Sequence, residues 1–247
     1  MVDVVIIHSN ADIYRERNLN FILYYYRKLI PESNIILVEQ NSVTENNVID
    51  KYVNNHVKII TENNLFCRSL CLNTGFKHRK YDYIIFSDND CVVDANILKN
   101  IKEIIKLPIV IPFNKPLFNL TETQTIQYIN DFENFDLNRR DLIERGCMSN
   151  GGVLFINSDI YWELGGYDPR FIGWGAEDDA FYEKARKLYP IIRPDSRMLH
   201  LNHSKLTHSS ITNPFYNNNY KMYVEYRGAD KNKLLEMIKN IGHSHLM

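Results

Sequence analysis

The stretch "YDYIIFSDND", Tyr81 to Asp90, decides how the chain is read. Tyr83 to Phe86 is a short β-branched and aromatic run, the composition of a strand buried on both faces. Acids bound it on either side. Runs of the same kind recur upstream: "VDVVIIH" (2–8), "NIILVEQ" (34–40) and "VKII" (57–60) read as three earlier strands. Between them lie segments with helical spacing, "ADIYRERNLNFILYYYRKLI" (11–30), "TENNVIDKYV" (44–53) and "LFCRSLCLNTGFKH" (65–78). This alternation implies βαβ units and a mostly parallel sheet covered by helices, an α/β fold. Such sheets bind ligands beyond the carboxyl ends of their strands, near a switch in strand order. Function is therefore sought just after each strand.

The second half is less regular. "PIVIPFN" (108–114) reads as a strand, and residues 121–145 read as helical and surface-exposed. "GGVLFIN" (151–157) is a buried strand followed by the short helix "SDIYWELGG" (158–166). "AEDDAFYEKARKLY" (176–189) is a further helix, and "RMLHLNHS" (197–204) a late strand. The tail mixes Asn and Tyr from Asn213 and ends in an amphipathic helix, "DKNKLLEMIKNI" (230–241). No linker divides the chain, so one domain over residues 1–247 is expected.

Composition narrows the class. Hydrophobic residues make up 45%, charged residues 24%, and the net charge is -1, which lacks the basic excess of a nucleic-acid footprint. The four cysteines form no tight pairs, so reduced thiols are expected and a zinc site is not. The apolar run at the amino terminus is too short to span a bilayer and has no basic flank. No signal peptide or transmembrane segment is expected, and a cytoplasmic setting follows, with something else bringing the chain to any membrane at which it works.

Three short motifs carry chemistry. Asp88 and Asp90 stand two apart at a strand end, where both side chains can face one site and suit a hard divalent ion. Asp-Asn-Asp is equally a good turn. In "LHLNHS", His200 and His203 stand three apart and can reach one ion, although two surface or capping histidines explain them as well. "GWGAEDDAF" (173–181) sets Glu177, Asp178 and Asp179 directly behind Trp174. A flat indole beside carboxylates suits a sugar ring, and clustered acids raise one another's pKa. Acids in a first helical turn are also simply favoured by the helix dipole.

The order of these pieces resembles the GT-A glycosyltransferases, most closely the β-1,4-galactosyltransferase-like group, with links to families 2, 7 and 27. The resemblance runs from Val4 to Ser204. "FCRSLCLNTGF" (66–76) matches that group's arginine-bearing helix, and "FSDND" (86–90) its D-x-D strand end. "GGVLFINSDIYWELGGYDPRFIGWGAEDD" (151–179), "RPD" (193–195) and "HLNHS" (200–204) follow in the same order. It implies a nucleotide-sugar half over about 1–112, an acceptor half over about 113–210 and a helical tail over about 211–247. It also implies that Arg68, Asp88, Gly152 and Trp174 meet a UDP-sugar donor, with Asn10 and Arg15 on the uridine side. Asp90, His203 and His200 would hold Mn²⁺, with Mg²⁺ as the second candidate. His200 replaces a methionine ligand of the galactosyl enzymes. Trp174, Glu177 and Asp179 would hold a carbohydrate acceptor, and Asp178 matches the catalytic base of an inverting transfer.

There are departures. "HSNADIYRERN" (8–18) stands where the group has a proline-rich loop, and the vertebrate enzymes' membrane anchor and disulfides have no counterpart. Ser149 stands where the galactosyl enzymes place a bulky tyrosine against the donor's C2 substituent, which leans the donor toward UDP-GalNAc or UDP-GlcNAc over UDP-Gal. Three rivals stay open: a retaining transferase like the polypeptide GalNAc-transferases, a sugar nucleotidyltransferase, and a non-catalytic carbohydrate-binding protein. "HSNADIY" lacks the glycine-rich phosphate loop of the second, product stereochemistry separates the first, and hydrolysis of a UDP-sugar excludes the third.

Overall fold

The computed structural model describes residues 1–9, 12–41, 47–62, 65–145, 148–205, 208 and 210–247. Its centre is a sheet of aliphatic strands: β1 (Asp3–His8), β2 (Asn34–Gln40), β3 (Asn55–Ile59) and β4 (Tyr83–Asp88), all mutually parallel. Beyond β4 come short β5 (Cys91–Val93), β6 (Ile109–Val110), β7 (Phe118–Asn119) and β8 (Ile143–Glu144). β9 (Val153–Asn157), β10 (Ile191–Ile192) and β11 (Met198–His200) complete the strands. Seven of them form one sheet in the order β10-β6-β9-β4-β1-β2-β3, with β9 antiparallel to β4 and β6. The other four form a smaller sheet, β5-β11-β7-β8. Because β1 lies between β2 and β4, the strand order reverses there, and the crevice beyond their carboxyl ends is the expected ligand position.

The helices are α1 (Ile13–Leu29), α2 (Asn47–Tyr52), α3 (Arg68–Lys77), α4 (Ala95–Lys99) and α5 (Ile101–Ile104). They continue as α6 (Glu122–Asn130), α7 (Ser158–Glu163), α8 (Glu177–Leu188), α9 (Tyr216–Gly228) and α10 (Lys231–Ile241). α1 starts where Asp12 accepts from the amides of Tyr14 and Arg15, both at 2.9 Å, and it closes with Arg27 and Lys28 at its negative end. Its face of Leu19, Ile22, Leu23 and Tyr26 is buried in the core. Val4 to Ile7, Ile35 to Val38 and Ile84 to Phe86 are at most 2% exposed, as two-sided burial of a parallel sheet requires.

Two expectations change, and the helical tail gains definite bounds. The helix expected over 121–145 stops at Asn130, because Asp131 breaks it and turns made by Asp131–Asn134 and Asp136–Asn138 lead into β8. Its inner face, Gln124, Thr125 and Tyr128, is buried rather than exposed. "PIVIPFN" supplies only two strand residues, since Pro108 and Pro112 lack the N–H that a ladder needs. The Asn/Tyr tail contains a full helix, α9, held to the loop before α8 by Asn213 and Asn219, which donate to Ile172 O at 3.0 Å. Cys67, Cys71 and Cys91 are buried free thiols, while Cys147 lies outside the described residues. Among the described residues no helix is long and apolar enough to cross a membrane.

Candidate active site

β4 ends in a polar turn. Asp88, Asn89 and Asp90 all line a cleft of about 1120 Å³, and the amide of Asn89 is held 2.6 Å from His8 Nδ1. The strand after the turn, β5, pairs antiparallel with β11 so that Cys91 lies opposite His200, and Leu201 N donates to Asp90 O at 2.8 Å. That pairing brings the histidine segment over the acidic turn. His203 Nε2 is 3.1 Å from Asp90 Oδ2, His200 Nε2 is 3.8 Å from Asp90 Oδ1, and the two rings lie 5.0 Å apart.

The geometry fits a metal ion. Ligands about 2.1 Å from one ion stand about 3 Å apart when adjacent, close to the spacing of these donor atoms. His203 Nε2 is buried without a hydrogen-bond partner: its contact with Asp90 is not aligned as a hydrogen bond. Burial pushes the Asp90 carboxyl up, but His200, His203 and Arg15 outweigh it and hold the group below the usual carboxylate range. Cys91 Sγ offers another donor, within 4.8 Å of those of Asp90 and His200. A soft thiol sulfur suits a hard divalent ion less well than the imidazole nitrogen of His203.

The acidic triplet enters from the far wall. The left-handed Ala176 (φ 67°) starts α8 with no side-chain cap, and Glu177 reaches back to accept from Gly175 N at 3.1 Å. Arg68, at the start of α3, donates from Nε to Asp88 Oδ1 at 2.8 Å and from a terminal nitrogen to Asp178 Oδ1. One guanidinium thus ties the strand-end acid to the helix-start acid. Tyr167 donates to the same Asp178 oxygen at 3.2 Å. Asp179 accepts from Asn150 at 2.7 Å, and Arg193 holds Asn150 from behind at 2.6 Å. Burial raises Asp178 to about 6 against the opposing pull of Arg68, and burial together with Asp178 raises Glu177 to about 7. Both acids are therefore poised near neutrality.

The floor and rim complete the cleft. Gly152 has φ 95° and its carbonyl accepts from Asp88 N at 2.8 Å. A β-carbon there would stand 2.7 Å from Met198 Cε and 2.9 Å from Cys91 Sγ, so only glycine lets the two sheets meet. Trp174 is 43% exposed at the rim and runs nearly parallel to Tyr216, 5.9 Å away. Ser149 also faces the cleft.

Arg68, Asp88, Asp90, Gly152, Trp174, Glu177, Asp178, Asp179, His200 and His203 thus all border one cleft, and Asn10 lies outside the described residues. Arg15, expected on the uridine side, lines the same cleft and lies against Asp90 and His203. Tyr167, Asn150, Gly151 and Arg193 were not singled out. Tyr167 and Gly151 sit inside the quoted 151–179 motif, but nothing in their spacing says that they touch Asp178.

A mostly parallel sheet with an acidic turn beside its switch point, faced by a histidine pair and an acidic helix start, defines a glycosyltransferase of the GT-A type. The chain belongs to the family described as glycosyltransferase-like family 2, whose sequence model matches residues 1–243. No curated protein matches the sequence. Among solved structures it is similar to S. aureus TarS 1–349 in complex with UDP-GlcNAc, at 14% identity and TM-score 0.61 over 97% of this chain and 72% of that one. The catalytic domain of Drosophila β1,4-galactosyltransferase 7 in complex with xylobiose matches at 16% identity and TM-score 0.53, over 93% and 82%. GalNAc-T7 with UDP, GalNAc and Mn²⁺ matches at 16% identity and TM-score 0.55, over 98% of this chain and 55% of that one.

Proposed function

We propose that this glycosyltransferase is an inverting, metal-dependent enzyme that moves an N-acetylhexosamine from a UDP-sugar to a carbohydrate hydroxyl. The observation that carries the reading is the convergence, in one cleft, of three candidate ion ligands, Asp90, His200 and His203, with the half-buried carboxylate of Asp178. Asp90, His200 and His203 would hold the ion, Mn²⁺ first and Mg²⁺ second. When bound, the ion supplies positive charge against the diphosphate of the leaving UDP.

The remaining work falls to side chains. Asp178 accepts the proton of the acceptor hydroxyl as its oxygen attacks the anomeric carbon on the face opposite UDP. The C–O bond to the diphosphate breaks as the new glycosidic bond forms, and the anomeric configuration inverts. Arg68 and Tyr167 hold Oδ1 of Asp178, which leaves Oδ2 to take the proton. Arg68 and Asp88 meet the donor, with Gly152 beneath it and Asn10 on its uridine side. Trp174 lies across donor and acceptor, and Glu177 and Asp179 accept from acceptor hydroxyls. Ser149 leaves space for an N-acetyl group. UDP-GlcNAc in the TarS structure, and UDP, GalNAc and Mn²⁺ in the GalNAc-T7 structure, support that choice of donor and ion.

The test is a screen of UDP-GlcNAc, UDP-GalNAc and UDP-Gal for Mn²⁺-dependent hydrolysis by the pure protein, with Asp90→Asn beside it. Hydrolysis of an N-acetylhexosamine donor that Asp90→Asn abolishes is expected. A protein that hydrolyses none of the three, or does so equally well in excess EDTA, contradicts the reading. The anomeric NMR signal of the transfer product then checks inversion.

A further inference from the structure

Arg15 is the third residue of α1 and only 8% exposed, yet it reaches the cleft beside the ion site. One terminal nitrogen is 3.8 Å from Asp90 Oδ2. The other is 2.9 Å from His203 Nδ1 and 3.3 Å from Ser204 O. Its Nε is buried with no hydrogen-bond partner.

The contact with His203 Nδ1 cannot coexist with an ion held at His203 Nε2. A guanidinium only donates, so while Arg15 holds His203 Nδ1 that nitrogen is an acceptor, and the ring's proton sits on Nε2, facing Asp90. An imidazole protonated on Nε2 has no lone pair there for a metal. The competing contact, His203 Nδ1 to Ser204 O at 2.7 Å, selects the opposite tautomer, with Nδ1 donating and Nε2 free to ligate. Arg15 also places its charge beside the carboxylate oxygen that a divalent ion would use, so the two cations repel. The site therefore has two consistent arrangements: Arg15 in and the ion out, or the ion in and Arg15 released.

We propose that Arg15 competes with the ion for Asp90 and His203 and transfers to the donor's diphosphate when ion and nucleotide bind together. Released from His203 and Asp90, its fork of donors, including the unpaired Nε, suits two phosphate oxygens. Ion and nucleotide then bind interdependently, because each removes what hinders the other. This inference rests on the reading that Asp90, His200 and His203 hold a divalent ion beside a nucleoside diphosphate.

The experiment titrates Mn²⁺, with free Mn²⁺ followed by EPR, in the absence and presence of UDP, for the parent, Arg15→Gln, Arg15→Lys and Asp90→Asn. In the parent, UDP tightens Mn²⁺ binding by about tenfold or more, within the usual range of coupling between sites. Arg15→Gln binds Mn²⁺ alone about fivefold tighter or more, and the tightening by UDP falls to about twofold or less. Arg15→Lys keeps the weak binding of Mn²⁺ alone, which separates charge from packing, and circular dichroism confirms that each variant is folded. Parental affinity for Mn²⁺ alone, or parental coupling to UDP, in folded Arg15→Gln overturns the role of Arg15. If the parent binds no Mn²⁺ with or without UDP, or Asp90→Asn binds it as the parent does, the ion-site reading fails instead.

Discussion

Asp178 Oδ2 occupies the space directly over Gly151, where an added β-carbon would stand 1.8 Å from it. The glycine is needed for close approach, since its φ is not among the positive ones. Asp178 is thus positioned from both ends, with Oδ1 tethered by Arg68 and Tyr167 and Oδ2 seated on a backbone that carries no side chain. Among the described residues Oδ2 takes no protein hydrogen bond, which suits a proton acceptor.

Gly151→Ala should therefore damage chemistry and spare the fold. The methyl group displaces the carboxylate by a fraction of its own length, and misplacement on that scale costs about 10²-fold in turnover. Mn²⁺–UDP affinity, measured by calorimetry, stays at the parental value. Parental turnover in Gly151→Ala would show that Asp178 need not sit where it does.

Asp178→Asn removes the base and is expected to lose about 10²–10⁴-fold in sugar transfer while retaining donor binding. The same carboxylate sets a pH dependence. With Asp178 raised to about 6 by burial, transfer climbs as pH passes through about 6 and levels off above. Arg68 opposes that rise, so Arg68→Gln should move the acidic limb to higher pH. A limb that stays in place in Arg68→Gln would disconnect the two residues.

Glu177 gives a stability test with a definite sign. Burial and Asp178 raise it from an ordinary 4.5 to about 7, so between those values the folded state binds the proton that the unfolded chain has lost. Its contribution is favourable at low pH and is lost as pH rises toward 7. Glu177→Gln keeps an acceptor for Gly175 N and carries no charge. Thermal melts should show it more stable than the parent at pH 8, with the gap closing by about pH 5. A constant gap would mean that Glu177 is not held protonated.

Ser149→Tyr tests the donor pocket. A bulky ring on this wall of the cleft should cut use of UDP-GalNAc and UDP-GlcNAc by about tenfold or more relative to UDP-Gal, because overpacking a fitted site costs 1–3 kcal/mol. Unchanged donor ratios would place the C2 substituent elsewhere.

Much of this was legible along the chain. Strands β1, β2, β4 and β9 announce themselves through apolar centres, Val4–Ile7, Ile35–Val38, Tyr83–Phe86 and Val153–Ile156, which are buried on both faces, whereas β3 is half-buried and carries Asn55, His56 and Lys58. Asp88, Asp90, His200, His203 and the triplet after Trp174 are visible as residue types at telling spacings. The helix expected past Asn130 went wrong because local turns by Asp and Asn outweighed a weak periodicity. α9 falls within the tail that the resemblance makes helical, but no periodicity marks it: it is held both by Asn213 and Asn219 gripping the loop before α8 and by Met222 and Tyr226 packing on Phe171, Ala180 and Leu234.

What a linear string can carry is local: which segments must be buried, and which side chains have the chemistry for an ion or a proton. The pairings belong to the folded molecule. Arg68 meets Asp178 across 110 positions, and Arg15 meets His203 across 188. Such contacts arise from the crossing of sheet edges and helix starts, and no periodicity records them. Whether a carboxylate is tethered, raised or already balanced by a cation depends on neighbours that only packing supplies.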